Sequence, residues 1–347
     1  MTEKEQSVEF QSKIVEFLSS KMQGIKDGAL QNVERIAVGW SHETWLFDFA
    51  YLRNGLREIL PLCLRLDPGN ALLREMSDLG TQFKVLRCLE PTPLKTPKAY
   101  WFEPDSNILG SPFVVMEKVE GECPNPWGNK GRAFYKAAAE RGQLPVSFTK
   151  ELAKLHRLNW QEAGLSFLGV PESGSDFVRS EIRKWERLID MADRPREPVL
   201  EDLIGWLKTN IPQRDEITLV HGAYRTGNLL IKDDGISAVL DWELQVLGDP
   251  MYDVAYVLSD LNREGTDLLS NLVPKEVFYE VYQSESGFDI DENSCEYYNK
   301  LYAMRSCAFW MSAASLYESG ASTDLRLART AWSVPVVLDR AARDLGY

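Results

Sequence analysis

Asn228 and Asp241 are the side chains whose types and spacing first suggest chemistry. Two apolar runs, Leu229 to Ile231 and Ile236 to Leu240, lie between them, joined by the turn-forming Asp233-Asp234-Gly235. A two-strand return of this kind brings both ends to one sheet edge. A carboxylate beside an amide oxygen suits magnesium, a hard cation that keeps water and phosphate oxygens in its shell. Taken alone, either residue reads equally well as a turn cap. The surrounding polar residues form an ordered set: His221-Gly222-Ala223-Tyr224-Arg225-Thr226-Gly227-Asn228, Leu240-Asp241-Trp242-Glu243 and Gly248-Asp249-Pro250-Met251-Tyr252-Asp253. Polar clusters at strand ends fall on loops, where chemistry is usually placed. His42, His156 and His221 are far apart, and Cys63, Cys88, Cys123, Cys295 and Cys307 form no C-x-x-C pair. Metal chemistry is therefore expected to use oxygen ligands, and the thiols to be buried and reduced.

The elements that must position this set differ along the chain. Residues 8–24 carry apolar side chains at helical spacing. Strands are expected over Val33 to Val38 and Thr44 to Phe49, as a hairpin about Gly39-Trp40-Ser41-His42, and over Leu60 to Leu66 after Asn54-Gly55. A helix over Ser77 to Leu89 is stopped by Pro91, Pro93 and Pro97. Extended segments follow at Lys98 to Phe102 and Pro112 to Glu117, either side of a turn at Pro104 to Asn107. Glu120 to Leu144, with its glycines and prolines, reads as a connector. Helices are expected over Phe148 to Leu158, Asp176 to Met191 and Pro198 to Thr209. Strands then return around residues 217–241, and after Gly248 the chain reads as helical almost to its end. Cys307 to Leu316 is apolar all round, the pattern of a buried helix.

The 347 residues exceed the size at which one core usually stops growing, so two lobes are expected. A formal net charge of −13 argues against nonspecific binding to nucleic acid or an anionic membrane. The opening Met-Thr-Glu-Lys-Glu-Gln has no signal-peptide architecture, and no apolar run nears the roughly 20 residues that span a bilayer. The expectation is a cytoplasmic protein.

The ordered set from 221 to 253 resembles the aminoglycoside phosphotransferase/choline kinase family, relatives of protein kinases whose loop reads H-G-D-x-x-x-x-N. The resemblance implies an α+β, two-lobed protein-kinase-like fold. Residues 1–120 would form a nucleotide-binding lobe, a small antiparallel sheet with one main helix; residues 121–347 would form a larger, mostly helical lobe holding the catalytic loop and the acceptor. It implies ATP and Mg²⁺, with Asn228 and Asp241 as metal ligands and Arg225 facing the transferred phosphate. Arg65, in Leu62-Cys63-Leu64-Arg65, matches the strand residue on the nucleotide phosphates. Ser41, His42 and Thr44 stand in the phosphate-covering turn, and Glu117 to Val119 in the hinge that holds adenine through backbone groups. His156 and His221 read as structural.

Two departures bear on activity. Ala223 occupies the position of the family's catalytic Asp, and a methyl group accepts no proton. Gln82 stands where many relatives place the helix Glu that pairs with the strand cation; it can accept a hydrogen bond from Arg65 without charge assistance. A slip in this alignment would make Glu75 the partner instead. The expected function is ATP-dependent transfer of a phosphoryl group to the hydroxyl of a small molecule, impaired by Ala223, itself an introduced change or a natural loss. The alternative is a pseudokinase, a nucleotide-binding or scaffold protein. Tyr297, Tyr298, Tyr302, Phe309, Trp310, Tyr317 and Trp332 either line an acceptor pocket or pack a core. The acidic run Asp289 to Glu292 either attracts a cation or is a solvated face.

Overall fold

The computed structural model describes residues 3–36, 42–67, 78–263 and 265–347, with side chains from Val8 onward outside those gaps. The chain divides into two compact units, one of Met1–Glu90 with Thr96–Glu120, the other of Pro91–Lys95 with Gly121–Tyr347.

The first unit opens with helix α1 (Glu3–Lys21) and strands β1 (Ile25–Ile36), β2 (Glu43–Arg53) and β3 (Leu56–Leu66). Helix α2 (Leu79–Leu89), strand β4 (Ala99–Glu103), the short helix α3 (Ser106–Leu109) and strand β5 (Phe113–Glu117) complete it. The five strands form one antiparallel sheet in the order β1-β2-β3-β5-β4. Alternation sorts its faces. Phe47, Phe49 and Tyr51 with Leu62, Leu64 and Leu66 point to one side, where Ile14, Phe17 and Leu18 of α1 cover them. Phe17 meets Phe113 edge-on at 4.8 Å. Arg65, between Leu64 and Leu66, therefore points to the opposite face, where α2 lies. The Asn54-Gly55 turn takes φ of 51° and 79°, which suits a tight hairpin.

Three local expectations change here. Strand β1 begins at Ile25 rather than Val33, because Lys26 to Gln31 shows no clean alternation and the pairing with β2 carries two register shifts. The turn after β4 contains a helical turn, α3, capped by the Asp105 side chain on Asn107 N. α1 ends at Lys21, three residues early.

The second unit is mainly helical. It contains α4 (Asn129–Arg141), α5 (Gln143–Arg157), α6 (Gly174–Met191) and α7 (Pro198–Thr209), then strands β6 (Thr218–Val220), β7 (Leu229–Lys232), β8 (Gly235–Val239) and β9 (Val246–Gly248). Helices α8 (Met251–Leu258), α9 (Lys275–Ser286), α10 (Glu292–Glu318), α11 (Leu325–Thr330) and α12 (Ser333–Leu345) follow. The expected connector thus contains α4. Its glycines hid a packing need: a Cβ on Gly131 would stand 1.9 Å from the Asn125 carbonyl oxygen, so only glycine lets the helix start this close to the preceding loop. α10 is the central helix, packed by α6, α7, α8, α11 and α12. Its stretch 307–316 buries Cys307, Ala308, Met311, Ala313 and Ala314 but leaves Phe309 and Trp310 half-buried, so it is sided rather than enclosed all round. The strands form two separate ribbons, β7 with β8 and β6 with β9. β9 carries no sequence signal beyond Val246 and Leu247. Among the described residues no helix is long and apolar enough to cross a membrane.

Candidate active site

The 221–228 loop hangs from the end of β6 and is held by one carboxylate. His221 N donates to Asp253 Oδ2 at 2.7 Å and Gly222 N to Oδ1 at 2.8 Å, with Asp253 fully buried at the start of α8. Two backbone N–H groups that would otherwise be orphaned are thereby satisfied by a charged acceptor, the strong kind of hydrogen bond. His156 of α5 lies behind, its Nε2 3.3 Å from Asp253 Oδ2 and its Nδ1 2.6 Å from the Tyr282 hydroxyl. Gly222 has φ +78°, and a Cβ there would meet the Leu244 carbonyl oxygen at 2.5 Å, so the tight turn requires glycine.

His221 braces the loop from within. Its Nδ1 accepts from Ala223 N at 3.2 Å, so Nε2 carries the proton and donates to the Leu240 carbonyl at 2.8 Å. That is a neutral ring, and burial pushes its pKa below the ordinary range. Trp242 packs on it with ring centroids 4.8 Å apart. The neighbouring Asp249 is structural: it accepts from Met251 N at 2.9 Å and the Tyr298 hydroxyl at 2.9 Å and pairs with Arg214, while burial raises its pKa.

Asn228 and Asp241 sit at the open end of the β7–β8 ribbon. Leu229 pairs with Val239, and Leu240 N donates to the Asn228 carbonyl at 2.8 Å, so the two residues are brought to one edge. The Asn228 Nδ2 is committed to the Ala223 carbonyl at 2.9 Å, which leaves Oδ1 as the acceptor the side chain can offer. Asp241 is half-buried with φ +66°, a left-handed conformation that Asp tolerates better than most residues. Among the described residues no three His, Cys, Asp or Glu side chains gather as a metal cluster. One amide and one carboxylate fit magnesium, which takes few protein ligands and keeps phosphate and water. Ala223 is 7% exposed, and its methyl offers no acceptor. The Arg225 guanidinium lies 5.5 Å from the Trp127 ring centroid.

In the first unit, Arg65 Nη1 donates to Gln82 Oε1 at 3.4 Å and Nη2 stands 2.9 Å from His42 Nδ1. Thr44 is the cross-strand partner of Arg65. Glu117 N donates to the Lys98 carbonyl at 2.8 Å, and Lys118 N to that of Pro61, which fixes the backbone leading to Val119. Ser41 and Glu75 lie outside the described residues.

The aromatic residues of α10 and of the segment before α12 separate into two groups. Tyr297, Tyr298 and Tyr302 are buried and donate to Leu207 O, Asp249 and Tyr252 O, which makes them core; Trp332 is 82% exposed. Asp291 caps α10 and Glu292 binds Lys275 and Tyr279, so the acidic run is a helix start. Sequence reasoning missed Arg305. Its guanidinium donates through Nη1 to the Gly222 carbonyl, and the only sequence signal was a cation inside the otherwise uncharged stretch 301–316.

Relatives fall into two groups by name. Acyl-CoA dehydrogenase family member 11 of Homo sapiens is 29% identical over 253 residues, which is 71% of this chain and 30% of that protein. The chain thus spans about a third or less of these longer relatives. An aminoglycoside 3'-phosphotransferase of Niallia circulans is 26% identical over 196 residues, 55% of this chain and 67% of that one. Among solved structures, a Ralstonia eutropha protein assigned to the aminoglycoside phosphotransferases superposes with a TM-score of 0.70 at 21% identity, covering 96% of this chain and 97% of its own. The aminoglycoside phosphotransferase APH(4)-Ia, solved with AMP-PNP and hygromycin B, gives 0.62 at 13% identity, covering 96% and 99%. These likenesses establish the α+β, protein-kinase-like fold. The model of the phosphotransferase enzyme family, APH, matches residues 32–277, most of the chain, and the chain belongs to that family.

Proposed function

We propose that this chain is an ATP-dependent phosphotransferase for a small hydroxyl compound, slowed by Ala223. The observation that carries the reading is the loop clamped by Asp253, which holds Ala223, Arg225 and Asn228 in one turn beside Asp241. Asn228 and Asp241 would hold Mg²⁺, which when bound neutralises phosphate charge. Arg225 supplies a fixed cation for the transferred group. Arg65, positioned by Gln82 and His42, would serve the nucleotide phosphates; Ser41 and Thr44 would cover them, and the Glu117 to Val119 backbone would take the base. Residues 1–120 are accordingly assigned to the nucleotide and 121–347 to catalysis and acceptor. The setting we assign is cytoplasmic, without nucleic-acid or membrane partners.

What the loop lacks is a group to receive the hydroxyl proton. A positioned base contributes about 10²- to 10⁴-fold in rate. Single-turnover transfer from radiolabelled ATP, run on the chain as it stands and on Ala223→Asp, tests this. The acceptors are aminoglycosides, choline-like amines, sugars and phenolic alcohols. The Asp form should gain that factor with little change in nucleotide affinity. Equal rates in the two forms would place the base elsewhere.

A pseudokinase is the second reading, favoured by one contact. Arg65 meets a neutral amide at 3.4 Å where a carboxylate would give charge assistance. Nucleotide binding without transfer in either form, with every acceptor, would select it.

A further inference from the structure

Arg305 lies in the middle of α10, yet its side chain is not spent on an ion pair. The guanidinium carbon stands 5.3 Å from the ring centroids of Trp185, Tyr256 and Tyr302, a cage of three aromatic faces. Nη1 donates to the carbonyl of Gly222, the residue immediately before Ala223. The Tyr252 hydroxyl, which donates its own proton to Glu181 at 3.0 Å, accepts from the same guanidinium. Among the described residues no carboxylate forms an ion pair with Arg305, and the carboxylate clamping this loop, Asp253, is occupied by two amides and His156.

Arg305 as a residue keeps partial exposure, while Trp185 and Tyr302 of the cage are fully buried. A cation withdrawn from water without an anion is costly, and ring faces offset only part of that. Five N–H donors in a rigid fork suit a carboxylate or phosphate held by two parallel bonds. The −13 net charge of the chain supplies no general attraction for anions, so selection of one needs a local cation of this kind. Its hydrogen bond to Gly222 places that cation one residue from the position at which an acceptor hydroxyl would lose its proton.

We propose that Arg305 selects the acceptor: an alcohol that also carries an oxyanion, a carboxylate or a phosphate ester, seated on the guanidinium within the Trp185, Tyr256 and Tyr302 cage. Polycationic aminoglycosides are disfavoured by the same charge. This rests on the phosphotransferase reading for the word acceptor, but the binding claim does not need turnover.

Calorimetric titration of the full chain tests it. The probes are hydroxyalkanoates of two to six carbons against their primary amides, glycerol phosphate against glycerol, and kanamycin. At least one anionic probe should bind about 10-fold or more tightly than its neutral twin. The carboxylate and phosphate arms show which oxyanion is preferred. Arg305→Gln should erase the discrimination, while Arg305→Lys should keep part of it, since charge remains and the fork is lost. Should Arg305→Gln fail to fold, judged by its circular dichroism, the acid-against-amide comparison in the unaltered chain and in Arg305→Lys decides. Neutral twins or kanamycin binding as well as the anions, no binding of any anionic probe, or unchanged discrimination in Arg305→Gln would each overturn the proposal. Magnesium-ATP is titrated separately. Its failure to bind would sink the phosphotransferase reading and leave the anion preference standing.

Discussion

Replacing Asp253 by Asn removes one charge and exchanges one acceptor oxygen for an NH2 group, with almost no change in volume. Asp253 now takes His221 N on one oxygen and Gly222 N on the other, at 2.7 and 2.8 Å. Asn can serve only one of them, through a neutral bond, and turns a donor toward the second. Loss of charge assistance costs about 1.5–3 kcal/mol, and a buried N–H left without an acceptor about 1–3 kcal/mol. Relief of the desolvated carboxylate returns part of that sum, so we expect a net loss of about 3 kcal/mol. For a unit of this size the melting temperature should fall by roughly 6–12 °C. Thermal denaturation followed by circular dichroism reads the shift, with the exposed Asp260→Asn as control. Hydrogen exchange at residues 221–224 locates it. A fall below about 2 °C with unchanged protection of those amides would show that the clamp does not hold the loop.

Two further outcomes follow from the same geometry. Asp241→Asn keeps a residue that tolerates the left-handed backbone but removes the charge, so magnesium should no longer strengthen ATP binding, a loss of at least about tenfold; titration with and without magnesium checks this, and an unchanged metal dependence refutes the ligand assignment. His221 is neutral and its pKa is depressed by burial below the ordinary 6.5. Its contribution to stability is therefore complete above about pH 6.5 and lost as pH falls toward the folded value, because the unfolded chain binds the proton first. Urea titrations between pH 7.5 and 5, set on an order-of-magnitude scale by that linkage, should show a decline that His221→Gln lessens; equal slopes in the two proteins would remove His221 as its source.

Much of the fold was legible because periodicity reports burial. The two-residue alternation of Phe47, Phe49 and Tyr51 and the helical stripe of α2 mark faces that must meet a core, whatever lies on the other side. Where that signal was weak, sequence reasoning faltered. Lys26 to Gln31 pairs as a strand through backbone bonds that its irregular side chains do not advertise. α4 hides behind Gly128 and Gly131, residues that ordinarily argue against a helix, and Gly131 here allows close approach to Asn125.

By itself the sequence determined the site's local members. Asn228 and Asp241 had to converge because a short hairpin joins them, and His221 to Asn228 had to form a tight loop between two strands. The tertiary structure alone decided what holds and surrounds that loop. Asp253 lies 31 positions after Gly222 and Arg305 lies 83 after it, and both reach its backbone, one at the nitrogen and one at the carbonyl oxygen. Hydrogen-bond partners so distant in sequence are fixed by the packing of α8 and α10, and packing leaves no local pattern: a buried clamp and a surface helix cap use the same aspartate, and only the fold shows which atoms it faces.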